Sequence, residues 1–174
     1  MRTNNDRGFT LIELMLVITI ISIVAMISIP GLMRVRMVGN EVSAIGALRA
    51  TATGQIAYSA TCGNGGYAAN YIVLGTPIGG GGQGFISDDL GKSMAPQQAG
   101  YTFVLGAGTA GAGPRDCQGT NTLNGYYATG TPLTYGTTGS RAFAVSRDGA
   151  IWQHTGPFPP GQPFVAGPWD FPIQ

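Results

Sequence analysis

From Phe9 to Met33 the chain is almost wholly apolar, and this run limits what the molecule can become. Its polar interruptions are Thr10, Glu13, Thr19, Ser22 and Ser28, with Pro30 and Gly31 near its end. About 20 apolar residues span a bilayer as a helix. The preceding residues, Met1 to Gly8, are polar and carry Arg2 and Arg7, which orient the segment with its N-terminus toward the cytoplasm. An ordinary secretory signal would end in a small-residue cleavage site, and no clear A-x-A site follows this long run. A plain anchor explains the length but not a carboxylate at Glu13, just inside the apolar stretch. A charge at the bilayer centre costs about 2.5 kcal/mol or more, and less near the edge, so such a residue is read as functional.

The stretch Arg7-Gly8-Phe9-Thr10-Leu11-Ile12-Glu13 resembles the prepilin processing motif of type IV pilins and type II secretion pseudopilins. The resemblance implies that a membrane prepilin peptidase cuts between Gly8 and Phe9 and methylates the new amine of Phe9. It implies that Glu13 is the buried glutamate of that family, and Pro30 sits where such helices commonly carry a proline. Motif, basic leader, apolar run and proline agree over about the first 50 residues. Cleavage at this place leaves the apolar run on the mature chain. The resemblance implies that the Phe9 amine of one subunit neutralises Glu13 of a neighbour. An unpaired carboxylate in an apolar bundle would be costly, so this pairing is expected to set the axial register of a homo-oligomeric fibre.

Beyond Pro30 the pattern becomes amphipathic. Val35, Val38, Val42, Ile45, Ala52 and Ile56 recur mostly at three- and four-residue steps, with Leu48 beside them, and predict one helix face packed on a sheet. Arg34, Arg36, Asn40, Glu41, Ser43 and Arg49 fall largely outside that stripe. A helix from about Phe9 to about Tyr58 would be about 75 Å long, its first half protruding and its second half forming the spine of a head. Pro30 removes a helical hydrogen bond and marks a place for a kink, or for local unwinding in a packed fibre. Gly39, Gly46 and Gly54 are further weak points, or a small-residue row for close helix approach.

Glycine and proline thicken after Cys62. Gly63 to Gly66 should end the helix, and Tyr67 to Gly100 reads as a long connector holding Tyr71 to Leu74 as a short strand or helical turn. Strand signals follow at Tyr101–Leu105, Tyr126–Thr134, Arg141–Val145 and Ala150–His154, with a turn at Ser146–Gly149. Gly130 and Pro132 mark the second as an edge or bulged strand. The expected fold is α+β, pilin-like: a long N-terminal helix whose amphipathic half lies on an antiparallel sheet of three or four strands. The expected division is a leader over residues 1–8, a membrane or fibre-core helix half over 9–33, and a head over 34–174. Within the head come helix (34–60), variable loop (61–100), and sheet with tail (101–174). The Pro- and aromatic-rich tail from Gly156 is expected to run extended over the head. Cys62 and Cys117, the only cysteines, allow one disulfide in an oxidising compartment, closing a loop of about 56 residues worth about 4 kcal/mol.

Other chemistry is thin. Gly79 to Gly84 contains G-x-G-x-x-G but opens no helix and precedes no G-K-[ST], so it reads as a flexible loop. His154, the single histidine, would need Ser146 or Asp148 beside it for a nucleophilic triad, and reads instead as a surface or core histidine. Asp88 and Asp89 are weak calcium candidates that lack alternating oxygen ligands. Arg115, Arg141 and Arg147 are too scattered for a nucleic-acid footprint, and a net charge of +1 argues against a polyanion binder. Only 10% of residues are charged, which suits a chain meeting lipid or copies of itself. No catalytic site and no cofactor are expected. The expected role is a structural pilus subunit: an inner-membrane precursor with its head outside the cytoplasm, then an extracellular fibre built by an assembly platform. A pseudopilin of a type II secretion system, a minor pilin, and a tethered ectodomain with binding or enzymatic activity remain as alternatives.

Overall fold

The computed structural model describes residues 8–173. The leader expected over residues 1–8, Arg2 and Arg7 included, lies outside them apart from Gly8. The chain forms two compact units, Met1–Arg36 and Met37–Gln174. One helix, α1, runs Leu11–Thr61, from the apolar stretch into the head. The head adds α2 (Tyr71–Gly75), a 3-10 turn at Ile78–Gly80, and α3 (Asp88–Gly91). Eight strands follow: β1 (Gln97–Gln98), β2 (Tyr101–Gly106), β3 (Ala112–Arg115), β4 (Asn121–Leu123), β5 (Tyr127–Pro132), β6 (Arg141–Ser146), β7 (Ile151–Thr155) and β8 (Asp170–Pro172).

The α+β architecture is the expected one, but the main sheet is larger. It has six strands, all antiparallel, in the order β1-β2-β5-β6-β7-β8, and β3 pairs with β4 in a separate ribbon. The expected edge or bulged strand is central: β5 sits between β2 and β6 in unbroken register. Gly130 belongs there because a Cβ at that position would lie 3.0 Å from the Phe103 ring, which fills the space a side chain would need. Pro132 ends the strand, where a missing N–H is tolerated. The tail does run over the head and then closes the sheet as β8. The presumed connector is locally ordered: Asn70 Oδ1 caps α2 by accepting the Val73 N–H at 3.0 Å.

Of the expected stripe, Leu48 and Ala52 are in the core and Ile45 packs against it, but the rest of the buried face is shifted by one residue. Glu41, Ala44, Leu48, Thr51, Gln55, Tyr58 and Cys62 are buried, with Ala47 and Ala52 beside them. Val38, Val42 and Ile56 are instead 57%, 63% and 60% exposed. Both seams follow three- and four-residue steps. Polarity misdirected the choice, because the polar members of the buried seam all find partners. Gln55 closes a reciprocal pair with the Ala68 backbone, donating to its carbonyl at 2.9 Å and accepting its N–H at 2.8 Å. Thr51 meets the Tyr71 hydroxyl at 3.1 Å, and the Tyr58 hydroxyl donates to Asp116 Oδ2 at 2.7 Å. Opposite them the sheet presents Tyr101, Phe103, Leu105, Phe143 and Val145, all buried.

Among the described residues Glu41 is the deepest charge, with its side chain 3% exposed. It accepts the Ser140 N–H and hydroxyl at 2.8 Å each, and the Arg141 Nε and Nη2 at 2.9 and 2.5 Å. Arg141 also donates to Gln153 Oε1 at 2.7 Å. Burial pushes the Glu41 pKa up, but the hydrogen bonds from Arg141 and Ser140, with the arginine charge, outweigh it and hold the pKa below the ordinary value. A lowered folded-state pKa adds stability that is present above the ordinary value and lost as pH falls through the folded one. Glu41→Ala should therefore cost about 3 kcal/mol at pH 7, the low end for a broken buried pair because Arg141 keeps some water. Denaturant melts of the full chain in detergent check this, and the gap between parent and variant should shrink toward pH 3.

Candidate functional site

Helix α1 begins immediately after Thr10. The Thr10 hydroxyl accepts the Glu13 N–H at 3.3 Å and donates to Glu13 Oε2 at 3.3 Å. Thr10 is thus an N-cap and Glu13 stands three residues later, the spacing of a capping pair. That role escaped the sequence reading, although T-x-x-E ahead of an apolar run is a known helix-start signal. Glu13 also lies in the first turn, where the helix dipole favours negative charge. Phe9 is 76% exposed and Glu13 is exposed, so both groups at the expected cleavage and pairing positions face outward.

Downstream, the helix offers apolar surface without cover. Leu11, Ile12, Met26 and Ile27 are each at least 75% exposed. This is the one helix among the described residues long and apolar enough to cross a membrane. Its hydroxyls are turned inward: Thr19, Ser22 and Ser28 donate to the carbonyls of Met15, Ile18 and Val24 at 2.7, 2.7 and 2.9 Å. In lipid every polar group needs such a local partner. The run therefore behaves as apolar despite its sequence. Pro30 and Gly31 lie inside the continuous helix. Having no N–H, Pro30 leaves the Met26 carbonyl without its usual helical donor.

The remaining candidates scatter. Asp88 and Asp89 open α3, and Asp88 pairs with Lys92 at 3.2 Å on the surface. His154 Nδ1 is 2.9 Å from Asp170 Oδ1, a partner not foreseen, while Ser146 stands at the other end of β6 from Ala142, the residue His154 faces. The three arginines do not act as one patch. Arg141 is held by Glu41, Arg115 donates to the Gly119 carbonyl at 2.8 Å, and Arg147 lies 4.0 Å from Asp148. Gly79, Gly80 and Gly82 of the glycine run adopt positive φ in a turn-rich loop. Cys62 and Cys117 form a disulfide with their Cα atoms 4.8 Å apart.

Comparison with known families matches residues 3–29 to the model described as the prokaryotic N-terminal methylation motif. No curated protein matches the chain. No solved structure matches it either. The match covers Gly8, Phe9, Glu13 and the exposed apolar stretch together, and it stops before the head. The chain therefore carries the N-terminal signature found in type IV pilins and pseudopilins, and its apolar helix fits a membrane-anchored precursor of that type.

Proposed function

We propose that this chain is a structural, non-catalytic subunit of an extracellular type IV pilus, polymerised through α1 after cleavage between Gly8 and Phe9. The observation that carries the reading is a matched methylation motif heading an uncovered apolar helix. Uncovered apolar surface on this scale needs lipid before assembly and other copies of itself afterwards. The cut creates a positive amine at the N-terminus of α1, where the helix dipole disfavours it. A carboxylate from the neighbouring subunit relieves both that amine and its own burial in the bundle. Glu13, which Thr10 contacts at the helix start, would supply that carboxylate. The second seam, Val38, Val42 and Ile56, supports the same reading, since it offers apolar contact from the head side of the helix. The disulfide supports a head outside the cytoplasm, where such bridges persist.

The same N-terminal chemistry serves a pseudopilin, so location of the polymer separates the two readings. Fibres sheared from cells should contain this chain as their main component, and mass spectrometry should find its N-terminus at a methylated Phe9. Absence of the chain from any surface fibre, together with failure of protein secretion on its deletion, would transfer it to the pseudopilins.

A further inference from the structure

We propose that the head carries a binding cleft for a neutral saccharide on the sheet face opposite α1, where Trp152 and Phe164 stack beside a polar rim of Asn124, Arg147, Asp148 and Gln162. Register places Tyr127, Ala144, Trp152 and His154 on that face, while Phe143, Val145 and Gln153 point toward the helix. The tail lies along the outer face and shapes the cleft. Phe164 stacks on Trp152 with centroids 5.4 Å apart and planes 17° apart, and tilts against Tyr127 at 6.1 Å. The Tyr127 hydroxyl donates to the Pro160 carbonyl. Gln162 Oε1 accepts the Thr109 N–H at 2.9 Å, tying the tail to the 107–110 loop. That tie requires Gly108, which has φ +56° and no room for a Cβ against Gln162. The two walls are thus joined before any ligand arrives.

The cleft is open to solvent on one side and has a volume of about 620 Å3. That lies within the range of about 300–1,000 Å3 for small-molecule sites. Its chemistry selects the ligand class. Arg147 and Asp148 are 65% and 77% exposed and 4.0 Å apart, so their charges cancel locally; Asp148 Oδ2 accepts only a long 3.5 Å contact from the Ser146 hydroxyl, leaving most of the pair's hydrogen-bonding capacity open. A phosphate or carboxylate ligand would meet Asp148 as well as Arg147 and gain little. A purely apolar ligand would strip water from four polar side chains without replacing their hydrogen bonds. A neutral polyhydroxyl ring satisfies both parts: its C–H face lies on aromatic surface, and its hydroxyls donate to and accept from the planar rim groups. The inference does not depend on whether the chain forms a pilus or a pseudopilus.

Full-length chain in a detergent without sugar groups should be screened against immobilised neutral, sialylated and sulfated oligosaccharides. The best neutral hit is then titrated as a free oligosaccharide while tryptophan fluorescence is followed. Expected is saturable binding of at least one neutral oligosaccharide, weakened about tenfold by either Arg147→Ala or Asp148→Asn with unchanged melting. Both side chains are exposed, so neither substitution threatens the core. Trp152→Phe should remove most of the fluorescence response. Binding confined to sulfated or sialylated glycans, no binding at all, or binding indifferent to both rim substitutions would each overturn the proposal.

Discussion

Glu13→Ala should leave insertion and leader removal intact and lower the amount of assembled polymer by about a hundredfold, the equivalent of about 3 kcal/mol per subunit contact. The substitution pulls the two steps in opposite directions. A carboxylate inside the apolar run is a burden in lipid, so alanine makes the precursor easier to insert. In the proposed bundle the same carboxylate would be the partner of a neighbour's Phe9 amine, and alanine would leave that amine buried and unpaired. A polymer defect with normal processing therefore cannot come from poor membrane entry. Glu13→Gln separates charge from shape, since it keeps the reach and the Thr10 contact but loses the charge. It should fall between parent and alanine. The readouts are the mature N-terminal mass for processing and the ratio of sheared fibre to membrane-held subunit for assembly. Normal fibre yield from the alanine chain would remove Glu13 from the assembly mechanism.

The parts of the fold that were legible in the sequence are those written in local periodicity. The apolar run, the helix end before Gly63, and the strands β2, β6 and β7 all rest on patterns within about ten residues. What was not legible depends on partners far along the chain. Glu41 looked like a solvent residue because its ligands, Ser140 and Arg141, lie about one hundred positions away. Gln55 and Thr51, which the apolar stripe did not include, are buried because the Ala68 backbone and the Tyr71 hydroxyl satisfy their polar groups. Gly130 and Pro132 suggested an edge because glycine was read as weakness, whereas here it admits the Phe103 ring. At the N-terminal site the residues themselves were visible, but the Thr10 cap was hidden behind the more familiar carboxylate. The binding cleft had no local signature, since its walls come from the loop before β3, the β6–β7 turn and the tail.

Replacing Cys62 and Cys117 together by serine should destabilise the head by about 4 kcal/mol, the chain-entropy value for a loop of this length. Against a typical total of about 5–15 kcal/mol this is a large loss, and it should lower the melting temperature by roughly 10 °C. Geometry says where the loss will show first. Cys62 follows the last residue of α1, and Cys117 sits in the turn between β3 and β4. Beside the bridge, Cys117 N–H donates to the Cys62 carbonyl at 2.8 Å and the Tyr58 hydroxyl reaches Asp116 at 2.7 Å. Asp116 in turn accepts the Thr120 and Gln118 N–H groups at 2.6 and 2.9 Å, which shapes the turn. The β3–β4 ribbon has no strand pairing with the main sheet, and the bridge and this cluster anchor that end together with the Asn64 amide on the Arg115 carbonyl and the Gln118 amide on the Pro77 carbonyl. In the double-serine chain, amide exchange should accelerate in residues 112–123 before it does in the six-stranded sheet. Tyr58→Phe added to that background should cost more than in the bridged chain, because one anchor then works without the other. On the proposed function the consequence is directional: a head that gains its full stability only after oxidation would be weakest before export and strongest outside the cytoplasm. A melting temperature unchanged by the two serines, or by reductant on the parent chain, would mean that the ribbon is held by its other contacts and that the bridge is incidental.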